Sequence, residues 1–120
     1  MLVDSREMLE IAVRAADGKR AEDIVALDVR EVSLLADYFV IMQGNSKRQM
    51  DAILDEIEEK EELADVKVVR VEGKNSGKWV LVDLGDIVIN IFSPEERAYY
   101  NLEKLWSNAE TVDVADWIDA

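Results

Sequence analysis

"GKWVLVDLGDIVINIF", residues 77–92, decides how this chain folds. Two runs of β-branched and aliphatic residues flank Leu84 and Gly85, the pattern of two strands joined by a tight turn. A two-residue loop at Leu84-Gly85 pairs Asp83 with Asp86. Leu81 then faces Val88 and Trp79 faces Asn90, all on one side of the sheet. The other side receives Val80, Val82, Ile87, Ile89 and Ile91, which is wholly aliphatic and must be core. A one-residue change in the loop would exchange the two sides.

The mixed side, with Trp79, Leu81 and Val88 among Asp83, Asp86 and Asn90, has three readings. An aromatic anchor ringed by polar groups has the composition of a protein interface. A helix lying over Trp79 would instead make it core and leave only the turn wet. Asp83 and Asp86 would serve a magnesium ion if they converged, but a pair closing a hairpin more often accepts backbone hydrogen bonds in the turn.

Around this hairpin the chain divides cleanly. Residues 4–17 carry Met8, Leu9, Ala12, Val13 and Ala16 at helical spacing, with Asp4 or Ser5 to cap the start and Gly18 to suit the end. Strands are predicted at 23–29, 38–43 and 66–71. "GNSKRQ" (44–49) breaks the pattern, and Ser46 with Gln49 forms a capping box for a helix whose apolar face is Met50, Ile53, Leu54 and Ile57. The same loop has the place of a phosphate cradle at a helix N-terminus but lacks P-loop glycine spacing. "SPEE" (93–96) starts the last helix, with Tyr99, Leu102 and Trp106 along one side. Val114, Trp117 and Ile118 suit a short packed turn in a tail, residues 107–120, that has four acids and no base. The order α-β-β-α-β-β-β-α predicts one α/β (α+β) domain: a mixed sheet of about five strands with helices packed against it.

Composition narrows the function. The chain of 120 residues has 49% hydrophobic and 34% charged residues, enough for one core and a solvated surface. Acidic residues outnumber basic ones 27 to 14, a formal net charge of −13. Nucleic acid and anionic membranes repel such a surface, whereas a basic protein is attracted to it. Cysteine and histidine are both absent, which removes thiolate and Ser–His chemistry and the commonest zinc ligands. No metal or cofactor is expected. The N-terminus is charged and periodic, unlike a signal peptide, and no apolar run approaches the roughly 18 residues of a membrane helix.

Three blocks carry a family resemblance: "ADYFVIMQGNSKRQMDAI" (36–53), "EG…GKWVLVDLGDIVINIF" (72–92) and "RAYYNLEKLW" (97–106). Together they resemble the ribosomal silencing factor family, also called RsfS or Iojap, from the first helix to about Val112. The resemblance implies a domain at 1–112 of nucleotidyltransferase-like topology without the catalytic motif, followed by an acidic tail at 113–120. It implies no catalysis. Members bind the large ribosomal subunit through ribosomal protein fourteen, where the small subunit docks, and so lower translation when nutrients are scarce. Homodimers are known in the family, and the cytoplasm of a bacterium is the expected setting. Asn90 stands where members usually carry histidine.

On that footing the expected partner-binding residues are Trp79 and Leu81 as anchors, Asp83 and Asp86 as acidic rim, and Val88 and Asn90 beside them. Arg48, Arg97, Tyr99 and Tyr100 are expected to support the face, Arg48 by pairing with Asp37 or the partner. Two other classes remain at this stage: an acidic adaptor for a different basic protein, and a nucleotidyltransferase, for which no D-x-D pair lies on any predicted strand.

Overall fold

The computed structural model describes residues 3–118. Each long helix starts where a polar side chain accepts from the free amides of its first turn. Asp4 Oδ1 accepts from Glu7 N at 2.8 Å to open α1 (Ser5–Gly18), and Ser46 Oγ accepts from Gln49 N at 3.0 Å to open α2 (Lys47–Leu63). Gln49 Oε1 reaches back to Asn45 N at 2.7 Å, while its Nε2 donates to the carbonyls of Lys19 and Arg20. One glutamine thus caps α2 and ties its start to the end of α1. Gly44 has an ordinary φ; its use is space, because a Cβ there would meet Met50 Cγ at 3.0 Å. The left-handed residue after α1 is Arg20 (φ 63), not Gly18.

Six strands follow: β1 (Glu22–Asp28), β2 (Tyr38–Gln43), β3 (Arg70–Glu72), β4 (Trp79–Asp83), β5 (Ile87–Phe92) and β6 (Glu110–Val112). They lie in the order β3-β4-β5-β2-β1-β6. All neighbours are antiparallel except β2 and β5, which are parallel. A parallel neighbour must be reached by a crossover, and α2 begins that return. The predicted single α+β domain with a mixed sheet is the observed fold, with one strand more than expected.

The differences have local causes. β6 is three residues long, too short for alternation to show in the sequence. The third strand does not begin at Val66, because the chain is still closing α2 there. Val66 N bonds Glu61 O, Asp65 takes φ 62, and Val66 itself enters the core. The last helix breaks at Asn101 (φ 48) into α3 (Pro94–Tyr100) and α4 (Leu102–Leu105), since asparagine tolerates the left-handed region.

The hairpin register also differs. The last ladder pair is Asp83 with Val88, so Leu81 lies opposite Asn90 and Trp79 opposite Phe92. Leu84 is buried in the core instead of sitting in a two-residue turn, Leu84 N bonds Ile87 O at 3.0 Å, and Gly85 takes φ 89. The slip is two residues, an even number, so the predicted faces survive it.

Val80, Val82, Ile87, Ile89 and Ile91 join Tyr38, Val40, Met42, α1 and α2 in the main core. Val114 is buried in it too, with Trp117 and Ile118 packed alongside and the Arg6 guanidinium 5.3 Å over the Trp117 ring. The expected tail is therefore docked through Ile118; Asp119 and Ala120, like Met1 and Leu2, lie outside the described residues. Glu61 is the exception in this core. It is fully buried, and neither carboxylate oxygen has a hydrogen-bond partner among the described residues. Desolvation pushes its pKa from 4.5 up to about 8, so it is held mostly neutral at pH 7.

Candidate docking surface

The other face of the sheet is built in rows. Asp83, Val88, Phe39 and Leu27 form one, and Leu81, Asn90, Ile41 and Val25 the next. Trp79, Phe92 and Gln43 form the third. The C-terminal segment covers this face over β5, β2 and β1. Trp106 lies against Phe39 at 5.5 Å between ring centroids, and Leu102 and Ala109 pack beside it. Tyr100 meets Trp79 at 4.7 Å and Phe92 at 6.3 Å. Towards β4 the cover stops, leaving Trp79, Leu81, Asp83 and Val88 half-buried.

Trp79 is held from beneath. Its Nε1 donates to Asn90 Oδ1 at 2.9 Å, and Asn90 Nδ2 donates to the Val40 carbonyl at 3.3 Å. Asn90 is 0% exposed, so it offers no surface of its own; it fixes the half-buried indole above it. Phe92, 4.9 Å from the indole, supplies the floor. The turn before β4 is equally constrained. Gly73 has φ 78, and a Cβ there would come within 2.0 Å of the Trp79 carbonyl oxygen, so only glycine fits without moving the strand that carries Trp79.

The two carboxylates do separate jobs. Asp83 Oδ1 accepts from Gly85 N at 2.8 Å and its Oδ2 lies 3.8 Å from Arg70 Nη2. Asp86 is exposed, and its carbonyl accepts from Asp37 N and Tyr38 N, joining the hairpin tip to the β1–β2 loop. They line the edge of the strip, and no group of three or more metal-ligating side chains forms among the described residues.

The supporting residues divide. The Arg97 side chain is 11% exposed and bridges three elements, with Nε 3.1 Å from Glu103 Oε1 and Nη1 3.4 Å from Gln43 Oε1. It locks the bend between α3 and α4 over the end of β2. Tyr99 is 79% exposed and meets the Tyr100 ring edge-on. Arg48 is exposed in the first turn of α2 and makes no ion pair with Asp37 or with any other described residue.

The sequence reading passed over the β1–β2 loop. Leu34 and Leu35 stand there 103% and 88% exposed beside the hairpin tip. The signal was available, since two adjacent leucines in an irregular segment have no periodic apolar face to join.

This open, aromatic strip sits on a chain that matches, over residues 3–120, the family described as "Ribosomal silencing factor during starvation". The chain belongs to the ribosomal silencing factor family. It is similar to the ribosomal silencing factor RsfS of Bacillus subtilis, with 48% identity over 112 residues, 93% of this chain and 95% of that protein. The RsfS of Halalkalibacterium halodurans is 46% identical over 112 residues, covering 93% of this chain and 96% of the relative. A crystal structure of a Chromobacterium violaceum protein has the same fold, with a TM-score of 0.85 at 34% identity and 88% of each chain covered. The family's members are named for a regulatory role, and among the described residues of this one no helix is long and apolar enough to cross a membrane.

Proposed function

We propose that this member of the ribosomal silencing factor family docks on the large ribosomal subunit through the open strip around Trp79, with ribosomal protein fourteen as its partner. While bound it occupies the place of the small subunit, prevents joining, and so represses translation when nutrients are limiting. The observation that carries this reading is the half-covered sheet face. Trp79, Leu81 and Val88 stay accessible on a rigid strand pair whose other face is sealed, with Asp83 and Asp86 at the edge.

Physical chemistry supports the choice of partner class. Ribosomal proteins are generally basic, and a net charge of −13 steers the domain towards such a surface while opposing non-specific contact with RNA. An interface of about 800 Å² per partner is enough for a stable complex, and obstruction requires no chemistry once the domain is seated. Trp79 and Leu81 supply the apolar centre, and Tyr99 and Tyr100 extend it at one end. Homodimerisation through the same strip would compete with docking and gives a route to regulation. A crosslinked dimer that bound the large subunit as well as the monomer does would rule that route out.

The test is sucrose-gradient sedimentation with purified subunits. Wild type should travel with the large subunit and reduce the joined-ribosome peak. Trp79→Ala should do neither, since loss of a buried aromatic anchor usually weakens binding by more than about 2 kcal/mol. Wild type that migrates with neither subunit would overturn the proposal.

A further inference from the structure

The β1–β2 loop, residues 29–37, is ordered in an unusual way: its backbone is tied down while its apolar side chains are turned out. Val32 N and Ser33 N both donate to the Val29 carbonyl, at 3.1 and 2.8 Å. Leu35 N donates to Ser33 Oγ at 3.1 Å, and Val29 N donates to the Asp37 carbonyl at 2.9 Å. At its far end Asp37 N donates to the Asp86 carbonyl at 2.7 Å, which joins the loop directly to the hairpin tip. On this tethered frame Val32 is 46%, Leu34 103% and Leu35 88% exposed.

Single exposed leucines are ordinary on protein surfaces, but three large apolar side chains within four residues are a patch. The residues around it are acidic. Glu31 and Asp86 are exposed, and Asp37 and Asp83 are half-buried. The nearby base, Arg30, is already neutralised, with Nη2 2.6 Å from Asp28 Oδ2 and its guanidinium 5.5 Å over the Tyr38 ring. The patch is therefore an apolar knob with a negative surround.

We infer that the Val32–Leu34–Leu35 loop is a second anchor on the same docking surface, seated in an apolar depression rimmed by lysine or arginine on the basic ribosomal partner. This deepens the proposed function and rests on it. Charge complementarity selects the partner: the acidic surround favours a basic protein and disfavours RNA and an anionic lipid surface. Continuity selects the place, because the loop and the Trp79 hairpin share the hydrogen bonds at Asp86. A tethered loop also loses little freedom on docking, so its buried apolar area contributes to affinity with a small ordering penalty.

The experiment measures binding of full-length protein to purified large subunits for four proteins: wild type, Trp79→Ala, the double variant Leu34→Ser with Leu35→Ser, and the double variant Leu34→Met with Leu35→Met. Thermal unfolding and analytical ultracentrifugation are run on each. The serine pair should fold as wild type does, because it replaces side chains that are almost wholly exposed, yet bind at least about tenfold more weakly. The methionine pair should recover binding to within about threefold, since an apolar, adaptable side chain still fills the depression. Serine-pair binding within about twofold of wild type overturns the second anchor and leaves the proposed function standing on Trp79. If wild type itself fails to bind, both readings fall. If the serine pair abolishes self-association and leaves subunit binding intact, the loop is a contact between copies and this inference is wrong.

Discussion

The two faces of the sheet are made from the same three neighbouring strands, β4, β5 and β2, residue by alternate residue, and they meet opposite fates. One face, with Val80, Val82, Ile89 and Ile91, is mainly aliphatic, Tyr38 and Met42 being the exceptions on β2, and is closed under two capped helices. The other is aromatic and amide-bearing, and is covered only where the broken C-terminal segment reaches it. Aliphatic rows interlock with a helix face and exclude water without needing polar partners. The indole of Trp79, with its N–H held by Asn90 and its ring between Phe92 and Tyr100, is fixed in place yet remains partly exposed. Under the proposed docking role, the strand repeat of two places stability on one face and recognition on the other, so that each can be changed with little effect on the other.

The sharpest way to break that separation is to perforate the closed face. Ile89 is fully buried between β4 and β2, beneath the helices. Ile89→Ala should lose about 2–5 kcal/mol of unfolding free energy, from lost burial plus the cavity left behind. A urea titration reads this as a lower midpoint at unchanged slope. A loss below about 1 kcal/mol would mean that the helices settle onto the sheet and that the face is not packed as described.

Glu61 tests the same face by pH. Its pKa is raised from 4.5 to about 8 because burial penalises the charged form. The folded state therefore holds its proton more tightly than the unfolded state does. The stabilisation is fully present below about pH 4.5, declines as pH rises, and is lost by about pH 8, above which this contribution is flat. Integrated over that window, the decline should reach at most about 5 kcal/mol. Glu61→Gln should flatten that slope in chemical denaturation measured across the window. An equal slope in both proteins would show that other groups carry the pH dependence.

What could be read from the sequence follows the same division. The faces were legible because alternation depends only on parity, and the two-residue slip of the hairpin left parity intact. The turn itself was not, since Leu84 looks like a loop residue until the core that buries it is assembled. Ser46, Gln49 and Ser93 announced two helix starts correctly, because a cap acts within four residues. The break at Asn101 was passed over: helical spacing carries through 99, 102 and 106 whether or not one residue turns left-handed. For the candidate site, the set from Trp79 to Asn90 was visible as one mixed face. That Asn90 is sealed while Leu81 stays half-open was not, because the difference is made by Tyr100, Leu102 and Trp106 from a separate part of the chain.

The hydrogen bond under Trp79 offers a smaller and more selective probe of the open face. Trp79→Phe keeps a ring against Phe92 and Tyr100 but leaves Asn90 Oδ1 buried without its donor. The expected loss is about 1–2 kcal/mol. Adding Asn90→Leu removes the stranded acceptor, so the double variant should be less destabilised than the sum of the singles by about 1 kcal/mol. Strict additivity would mean that the two side chains do not hold each other.

The smallest stability effect should belong to Leu81. It lies on β4 one row from Trp79, opposite Asn90, and is only half-buried. Leu81→Ala removes part of a side chain already in contact with water, so unfolding free energy should change by less than about 1 kcal/mol. On the proposed docking, binding to the large subunit should weaken at least about tenfold, because the complex would bury the same methyl groups. The pair of Leu81→Ala and Ile89→Ala then separates the two roles: one variant that folds well and docks poorly, and one that folds poorly and, at a temperature where it is still folded, docks normally. If Leu81→Ala instead tracked Ile89→Ala in stability and left docking unchanged, the half-open face would be a second core with a thin cover, and recognition would have to lie elsewhere on the molecule.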